Sequence, residues 1–276
     1  MSTEDIDHMS SDMGVDYIDH MGTDLTVVNA ARVSFDNEST EYSHQNKLDL
    51  YDKDRKLIKY LADHEHWSPF AHPQISLRVK APIFVARQLA KHQIGFAWNE
   101  VSRRYVDTYT EMYLPKSWRS KAKSIKQGSS DEEIDIKSAF SFIEDGKILT
   151  EMSSPYHLNK TIESNLFWFA YPDIDREKAI TPAEKAVENV MITLQGMYDD
   201  LIELGVCPEQ ARMVLPQATY TEWIWTGSLL AYGRMCKLRL DSHTQRETQE
   251  VAQMISDIIK PLFPVSWECL QCIKNV

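Results

Sequence analysis

The chain has 276 residues, a formal net charge of -11 and 43% hydrophobic residues. That length buries a substantial core as one large domain or two small ones, and the apolar content is ordinary for a globular protein. No run of about 18 apolar residues is present, which argues against a membrane-spanning helix, and the acidic balance argues against a general nucleic-acid binder.

The first 24 residues, "MSTEDIDHMSSDMGVDYIDHMGTD", hold seven acids and no Lys or Arg. They lack the basic start and apolar centre of a secretory signal and read as a solvated, flexible lead-in to a domain spanning 25–276. Residues 25–35, "LTVVNAARVSF", begin the ordered part. Between 47 and 64, Leu48, Leu50, Tyr51, Leu57, Ile58 and Leu61 fall on one helical face. "QISLRVKA" (74–81) alternates apolar and polar side chains, the mark of a strand. Pro82 suits the first turn of a helix "PIFVARQLAKHQ", which Gly95 closes. "YVDTYTEMYLP" reads as extended, and 116–175 is irregular, with "KQGSSDEEIDIKSAF" marking a surface insertion. The long helix is 181–205, with a Thr181/Glu184 capping box, Pro182 in its first turn and Gly205 as its stop. "CPEQARMVLP" is a short helix, "QATYTEWIWTG" is extended, and helices follow over 226–238 and from Thr244, where Glu247 completes a second capping box. Helices around a modest sheet give an α+β fold in a single domain.

Of the four cysteines, Cys269 and Cys272 have CxxC spacing, without the βαβ context or second ligand pair that redox or metal chemistry requires. They read as thiols one turn apart on a C-terminal helix of a cytoplasmic protein.

Reactive groups concentrate in three segments. "HEHWSPFAH" (64–72) holds His64, His66 and His72 but no HExxH and no nearby Cys pair, so a loop that turns His66 and Ser68 toward a ligand is favoured over zinc. In "KHQIGFAWNEVSRRY" (91–105), Gln88 upstream with Lys91 and His92 has i, i+3, i+4 spacing, and Glu100, Ser102 and Arg104 share one side if extended. From Arg78 to Tyr105 six cations face Glu100 alone, interleaved with Phe96, Trp98 and Tyr105. Such charge focused in an acidic chain points to a compact anionic, aromatic ligand. The third segment, 211–247, carries Arg212, Arg234, Lys237, Arg239 and Arg246 against three acids. Its "DSH" is no hydrolase triad, because triad members converge from different elements, and no G-x-S-x-G, P-loop or G-x-G-x-x-G is present.

"NEVSRRY" matches the second half of the signature of the flavin-dependent thymidylate synthases, through Asn99, Ser102, Arg104 and Tyr105. "AARVSF", "HWSPFAH", "EQARMVLP" and "LRLDSH" are similar to further blocks of that family, in the same order, so the resemblance covers most of the chain apart from the lead-in and 116–175. The first half of the signature departs: the family's R-H-R is Lys91-His92-Gln93, its next serine falls at Phe96 or Ala97, and one extra residue separates His92 from Asn99. Arg→Lys loses the planar fork and Arg→Gln the charge. Arg234 stands where the family often has an asparagine near the flavin.

The resemblance implies a methyltransferase that converts dUMP to dTMP with FAD as cofactor and NADPH and 5,10-methylenetetrahydrofolate as co-substrates. It implies dUMP contacts from Gln88, Lys91, Glu100, Ser102, Arg103, Arg104, Arg212 and Arg239, and FAD contacts from Ser68, Lys91, His92, Gln93, Glu100, Ser228, Leu229, Leu230 and Arg234, with His66 and His243 as further candidates. Arg239 and Ser102 would be catalytic, Arg239 by stabilising charge at the pyrimidine edge and Ser102 by positioning rather than by covalent attack. A homotetramer with active sites shared between subunits is expected, with no metal, membrane or nucleic-acid partner. The alternative is a nucleotide- or flavin-binding member of the same fold with altered or lost chemistry, and 116–175 would be a family-variable insertion.

Overall fold

The computed structural model describes residues 9–44, 47–106, 111–121, 129–134, 139–144, 147–152, 161–162 and 183–272. In chain order these form strands β1 (Met9–Ser10) and β2 (Gly14–Met21), helix α1 (Asp24–Arg32), strands β3 (Tyr42–His44) and β4 (Lys47–Asp49), helix α2 (Asp52–Asp63), strand β5 (Gln74–Pro82), helix α3 (Ile83–Leu89) and strand β6 (Phe96–Glu100). Then come β7 (Met112–Tyr113), β8 (Trp118–Lys121), β9 (Ser129–Ile134), β10 (Ala139–Glu144), β11 (Lys147–Met152), β12 (Thr161–Ile162) and α4 (Ala183–Glu203). The chain closes with α5 (Pro208–Ala211), β13 (Tyr220–Ser228), α6 (Leu229–Arg239), α7 (Arg246–Ile259) and α8 (Pro264–Cys272). Helices and antiparallel strands in this mixture are the expected α+β class. They gather into two compact units, one built from 12–101 and 220–272, the other from 9–11 with 102–121 and 129–219.

The first unit is organised by a four-stranded sheet, in the order β2-β5-β13-β6, with every pair antiparallel. Alternation sorts its side chains. Ile75, Leu77, Val79 and Ala81 of β5 are fully buried. Trp225 pairs with Leu77 and Trp98, and Trp223 with Val79 and Glu100, so all of these share one face. Arg78 and Glu222 form an ion pair on the other. Burying each large apolar side chain contributes about 1.5–3 kcal/mol. Tyr232 of α6 donates its hydroxyl to the Trp225 carbonyl at 2.7 Å, pinning that helix to the sheet. The buried Asp24 carboxylate accepts from the backbone N–H groups of Val265 (2.8 Å) and Ser266 (2.9 Å), fixing the start of α8. In the second unit β1 pairs in parallel with β7, β8 with β9 and β10-β11-β12 form antiparallel ladders, and Gly205 at φ +84° ends α4.

Several expectations are corrected. Gly14–Met21, read as part of a flexible lead-in, is an edge strand of the main sheet, pairing with β5 from Gly14 opposite Lys80 to Met21 opposite Gln74. The helix after Pro82 stops at Leu89, so Lys91 and His92 do not continue the face of Gln88. The Gln88 carbonyl, which a continuing helix would offer to the His92 N–H, instead accepts from the Lys91 N–H at 3.4 Å and from Arg239 Nη2 at 3.1 Å. Strand β6 stops at Glu100, and Ser102 to Tyr105 form a turn closed by Tyr105 N–H to Ser102 O, so Glu100, Ser102 and Arg104 do not alternate along one strand. Residues 226–228, assigned to a helix, belong to β13. The capping box at Thr244 does not form: its hydroxyl donates to Leu238 O at 3.1 Å, and Gln245 precedes α7 with no side-chain cap. Thr181, Pro182 and much of 116–175 lie outside the described residues.

A Cβ on Gly227 would lie 2.3 Å from the Phe96 ring. That ring stacks on Trp225 at 4.4 Å and anchors β6 to the sheet. Gly227→Ala is expected to destabilise the protein by about 1–3 kcal/mol through overpacking, read by denaturant unfolding; an unchanged midpoint would remove this glycine's role.

Candidate functional site

The segment between α3 and β6 is a tight loop. His92 N–H bonds Leu89 O at 3.0 Å, and Gly95 takes φ +82°, where a side chain would be strained. A Cβ there would also sit 3.0 Å from Ala231. Gly95 O accepts from the Ser228 N–H at 3.1 Å, while the Ser228 hydroxyl caps α6 by accepting from Ala231 N–H at 3.2 Å. Two polar groups of one residue therefore tie the loop to the start of α6.

The far end of α6 returns to the same loop. Arg239 donates from Nε to His92 Nε2 at 3.0 Å and from Nη2 to Gln88 O at 3.1 Å. His92 must then accept at Nε2, so its neutral imidazole carries the proton on Nδ1. Burial, and then the positive charge of Arg239, lower the His92 pKa, which keeps that acceptor available. Burial also lowers the Arg239 pKa. Gln88 Nε2 meets Gln245 Oε1. Around these groups lies a cavity of about 400 Å³, lined by Gln88, Arg239, Asp241, His243, Thr244 and Gln245. The exposed Asp241 holds His243, accepting from its backbone N–H and meeting its Nδ1, both at 2.8 Å; these hydrogen bonds lower the Asp241 pKa.

Glu100 sits at the end of β6 with both carboxylate oxygens engaged. Trp98 Nε1 donates to one at 3.2 Å and Thr221 Oγ1 to the other at 2.7 Å. The Trp98 ring is stacked on Trp223, 4.3 Å between centroids. Lys91 and Gln93 are exposed on the loop.

A third cluster surrounds Ser68. Helix α2 ends with His66 N–H to Leu61 O at 2.8 Å and Glu65 N–H to Ala62 O at 3.1 Å, a helix stop that places Glu65 at φ +55°. The His64 ring lies 4.0 Å from that of Tyr60, tilted by 30°, and His66 meets Tyr60 edge-on. A groove of about 1030 Å³ runs past Ser68, His66, Trp67, Tyr60, Lys53 and Lys56. Among the described residues, no group of three His, Cys, Asp or Glu side chains is placed to hold a metal. Of the other residues expected near a flavin, Leu230 and Arg234 line a smaller cavity beside this groove, whereas the Leu229 side chain is fully buried.

Ser102, Arg103, Arg104 and Arg212 belong to the other unit. There the Ser102 hydroxyl accepts from Arg104 Nε at 3.2 Å, and the Arg104 guanidinium lies 4.8 Å from the Tyr105 ring centre. Arg103 is half-buried, which lowers its pKa against an opposing pull from Tyr198. Arg212 is exposed and bonds Glu209 O at 3.3 Å. Sequence reasoning missed Gln245, Thr221 and Gly227, whose partners lie far away in the chain. The indole of Trp98, two residues from Glu100 on a strand, was the one local signal available.

A sequence profile of the family described as "Thymidylate synthase complementing protein" matches residues 16–265. A flavin-dependent thymidylate synthase of Thermosipho africanus is 33% identical over 251 residues, 91% of this chain and 87% of that protein. The chain belongs to the flavin-dependent thymidylate synthases. A second member of this family, from Kosmotoga olearia, is 33% identical over 251 residues, 91% of this chain and 86% of its own. A crystal structure of a UMP/dUMP methylase from Streptomyces cacaoi bound with 5-Br dUMP has a TM-score of 0.67 to this synthase-family fold, at 24% identity over 98% of this chain and 99% of that one.

The contact between Arg239 and His92 carries a pH signature. The folded-state pKa of His92 is depressed, so the unfolded chain binds the extra proton first. Its contribution to stability is full above about pH 6.5 and is lost as pH falls through the folded value. Thermal midpoints measured between about pH 7.5 and 5.5 should fall more steeply for the native protein than for His92→Gln; equal slopes would contradict the neutral, buried imidazole.

Proposed function

We propose that the protein converts dUMP to dTMP, taking the one-carbon unit from 5,10-methylenetetrahydrofolate, releasing tetrahydrofolate, and using FAD reduced by NADPH. The observation that carries this reading is the fixed guanidinium of Arg239, held on the loop of His92 and Gln88 at the edge of the 400 Å³ cavity. Its Nε and Nη2 are committed, while Nη1 makes no hydrogen bond among the described residues and is free for a ligand. A charge held in place before the reaction stabilises negative charge as it develops, without reorganisation. Arg239 is therefore assigned to the pyrimidine edge, where the ring gains negative charge as C5 becomes nucleophilic.

Gln88, with Gln245 against its amide, closes one side of the same cavity and is assigned to dUMP. Glu100 presents a carboxylate whose plane is set by Trp98 and Thr221, leaving lone pairs for an N–H or O–H of the ligand. Ser102, Arg103, Arg104 and Arg212 are assigned to the nucleotide by the family resemblance, with arginine forks suited to its phosphate. Ser102 serves as a positioning group, since its hydroxyl accepts from Arg104 and no base is placed beside it among the described residues.

The groove past Ser68 fits FAD in size and chemistry: about 1030 Å³, walled by Trp67 and Tyr60 and flanked by Lys53 and Lys56. When bound, the flavin supplies the reducing electrons, and the chain's share is to bind and orient it. Ser68, Lys91, His92, Gln93, Leu230 and Arg234 are assigned to it, and Ser228 and Leu229 support it through the backbone of α6. A homotetramer with sites shared between subunits accords with this reading, as the assigned residues come from separate stretches of chain.

The test is direct. Purified protein should show flavin absorbance, alone or after adding FAD, and should form dTMP from dUMP, methylenetetrahydrofolate and NADPH. Arg239→Ala should lower turnover by about 10²–10³ while the fold is retained. Failure of the native protein to form dTMP or to take up FAD would overturn the reading, and near-native turnover by the variant would remove Arg239 from its role.

A further inference from the structure

Two cations on α6 take no part in the contacts of Arg239. Arg234 and Lys237 lie three residues apart, on one helical face. Among the described residues neither has an ion pair or hydrogen bond. Like charges one turn apart on a helix repel and cost stability, so a free pair of this kind gains from a ligand that neutralises it. Both line a cavity of about 260 Å³ together with His66 and Trp67, over an apolar floor that includes Phe70 and Leu270. Glu65 stands at the same rim, but no ion pair joins it to either cation among the described residues.

The cavity is too small for a whole cofactor, since pockets for drug-sized ligands run from about 300 to 1,000 Å³. It is large enough for a phosphate or pyrophosphate. It also shares Glu65, His66 and Trp67 with the larger groove past Ser68, so one ligand can reach both. The Trp67 indole is 57% exposed at their shared wall and offers a flat face to a ring system. An elongated ligand with rings in the groove and a phosphate beside it is a dinucleotide.

We propose that Arg234 and Lys237 form a phosphate-binding pocket that holds the phosphate group of a dinucleotide whose rings lie along Trp67. The same chemistry is offered by the pyrophosphate of FAD and by the 2′-phosphate of NADPH. The proposal rests on the function above for the identity of its ligands, and on the cavity for the residues.

The test compares ligands that differ in phosphate. Fluorescence titrations of the full-length native protein and of the double variant Arg234→Ala/Lys237→Ala would measure FAD against riboflavin and NADPH against NADH. One of the two preferences is expected to fall by tenfold or more in the double variant, about tenfold being the usual worth of one charge-assisted hydrogen bond. In the pair that responds, binding of the weaker partner should stay unchanged: riboflavin, which lacks the pyrophosphate, or NADH, which lacks the 2′-phosphate. Arg234→Lys should retain much of the preference, because it keeps the charge. A fall confined to the flavin pair assigns the pocket to the pyrophosphate; a fall confined to the nicotinamide pair assigns it to the 2′-phosphate. Both preferences unchanged would overturn the pocket. Native protein that takes up no FAD but still prefers NADPH through these two residues would overturn the flavin reading and keep the pocket; native protein that binds neither would overturn both.

Discussion

The site depends on one contact, the grip of Arg239 on the loop after α3. Its guanidinium takes the carbonyl of Gln88 and the ring nitrogen of His92, just where α3 ends at Leu89. Stopping there turns the chain at Gly95 and sends it into β6 as an edge strand beside β13. The same contact fixes what Arg239 offers to a ligand, because two of its three nitrogens are already committed. It works only with an uncharged imidazole, and burial beside a cation keeps His92 neutral. Structure and chemistry thus share one interaction.

Around it, the sheet acts as a rigid base. Trp223 and Trp225 are buried between the β5 and β6 strands, and Trp98 and Phe96 stack on them. Aromatic pairs of this kind contribute about 0.5–1.5 kcal/mol beyond their buried area. They also set direction: the Trp98 indole that stacks on Trp223 is the one that holds a Glu100 oxygen. Gly227 makes room for this packing by having no side chain.

Much of this was legible in the sequence where the signal is local. The alternation of Ile75, Leu77 and Val79 announced a strand, the spacing of Ile58 and Leu61 a helix, and Gly205 a helix stop. The ordered blocks from "AARVSF" to "LRLDSH" announced the family. What failed depended on distant partners. Helical spacing from Gln88 to His92 gave no sign of a guanidinium some 150 residues away, as 151 positions separate Gln88 from Arg239. Thr244 looked like a cap, but its hydroxyl found the Leu238 carbonyl. The acidic composition of the first residues hid the edge strand Gly14–Met21, whose apolar members meet β5 only in the folded sheet. Among the site residues, the charged and aromatic side chains were legible by type, whereas Thr221 and Gln245 are ordinary residues made relevant by position.

The most direct measurement of the central claim is a crystal structure of the flavin-loaded protein with dUMP. The pyrimidine edge is expected about 3 Å from the free nitrogen of Arg239, with the contacts from Arg239 to His92 and Gln88 retained. A pyrimidine bound elsewhere, or an Arg239 that leaves His92 and Gln88 to reach it, would contradict the account.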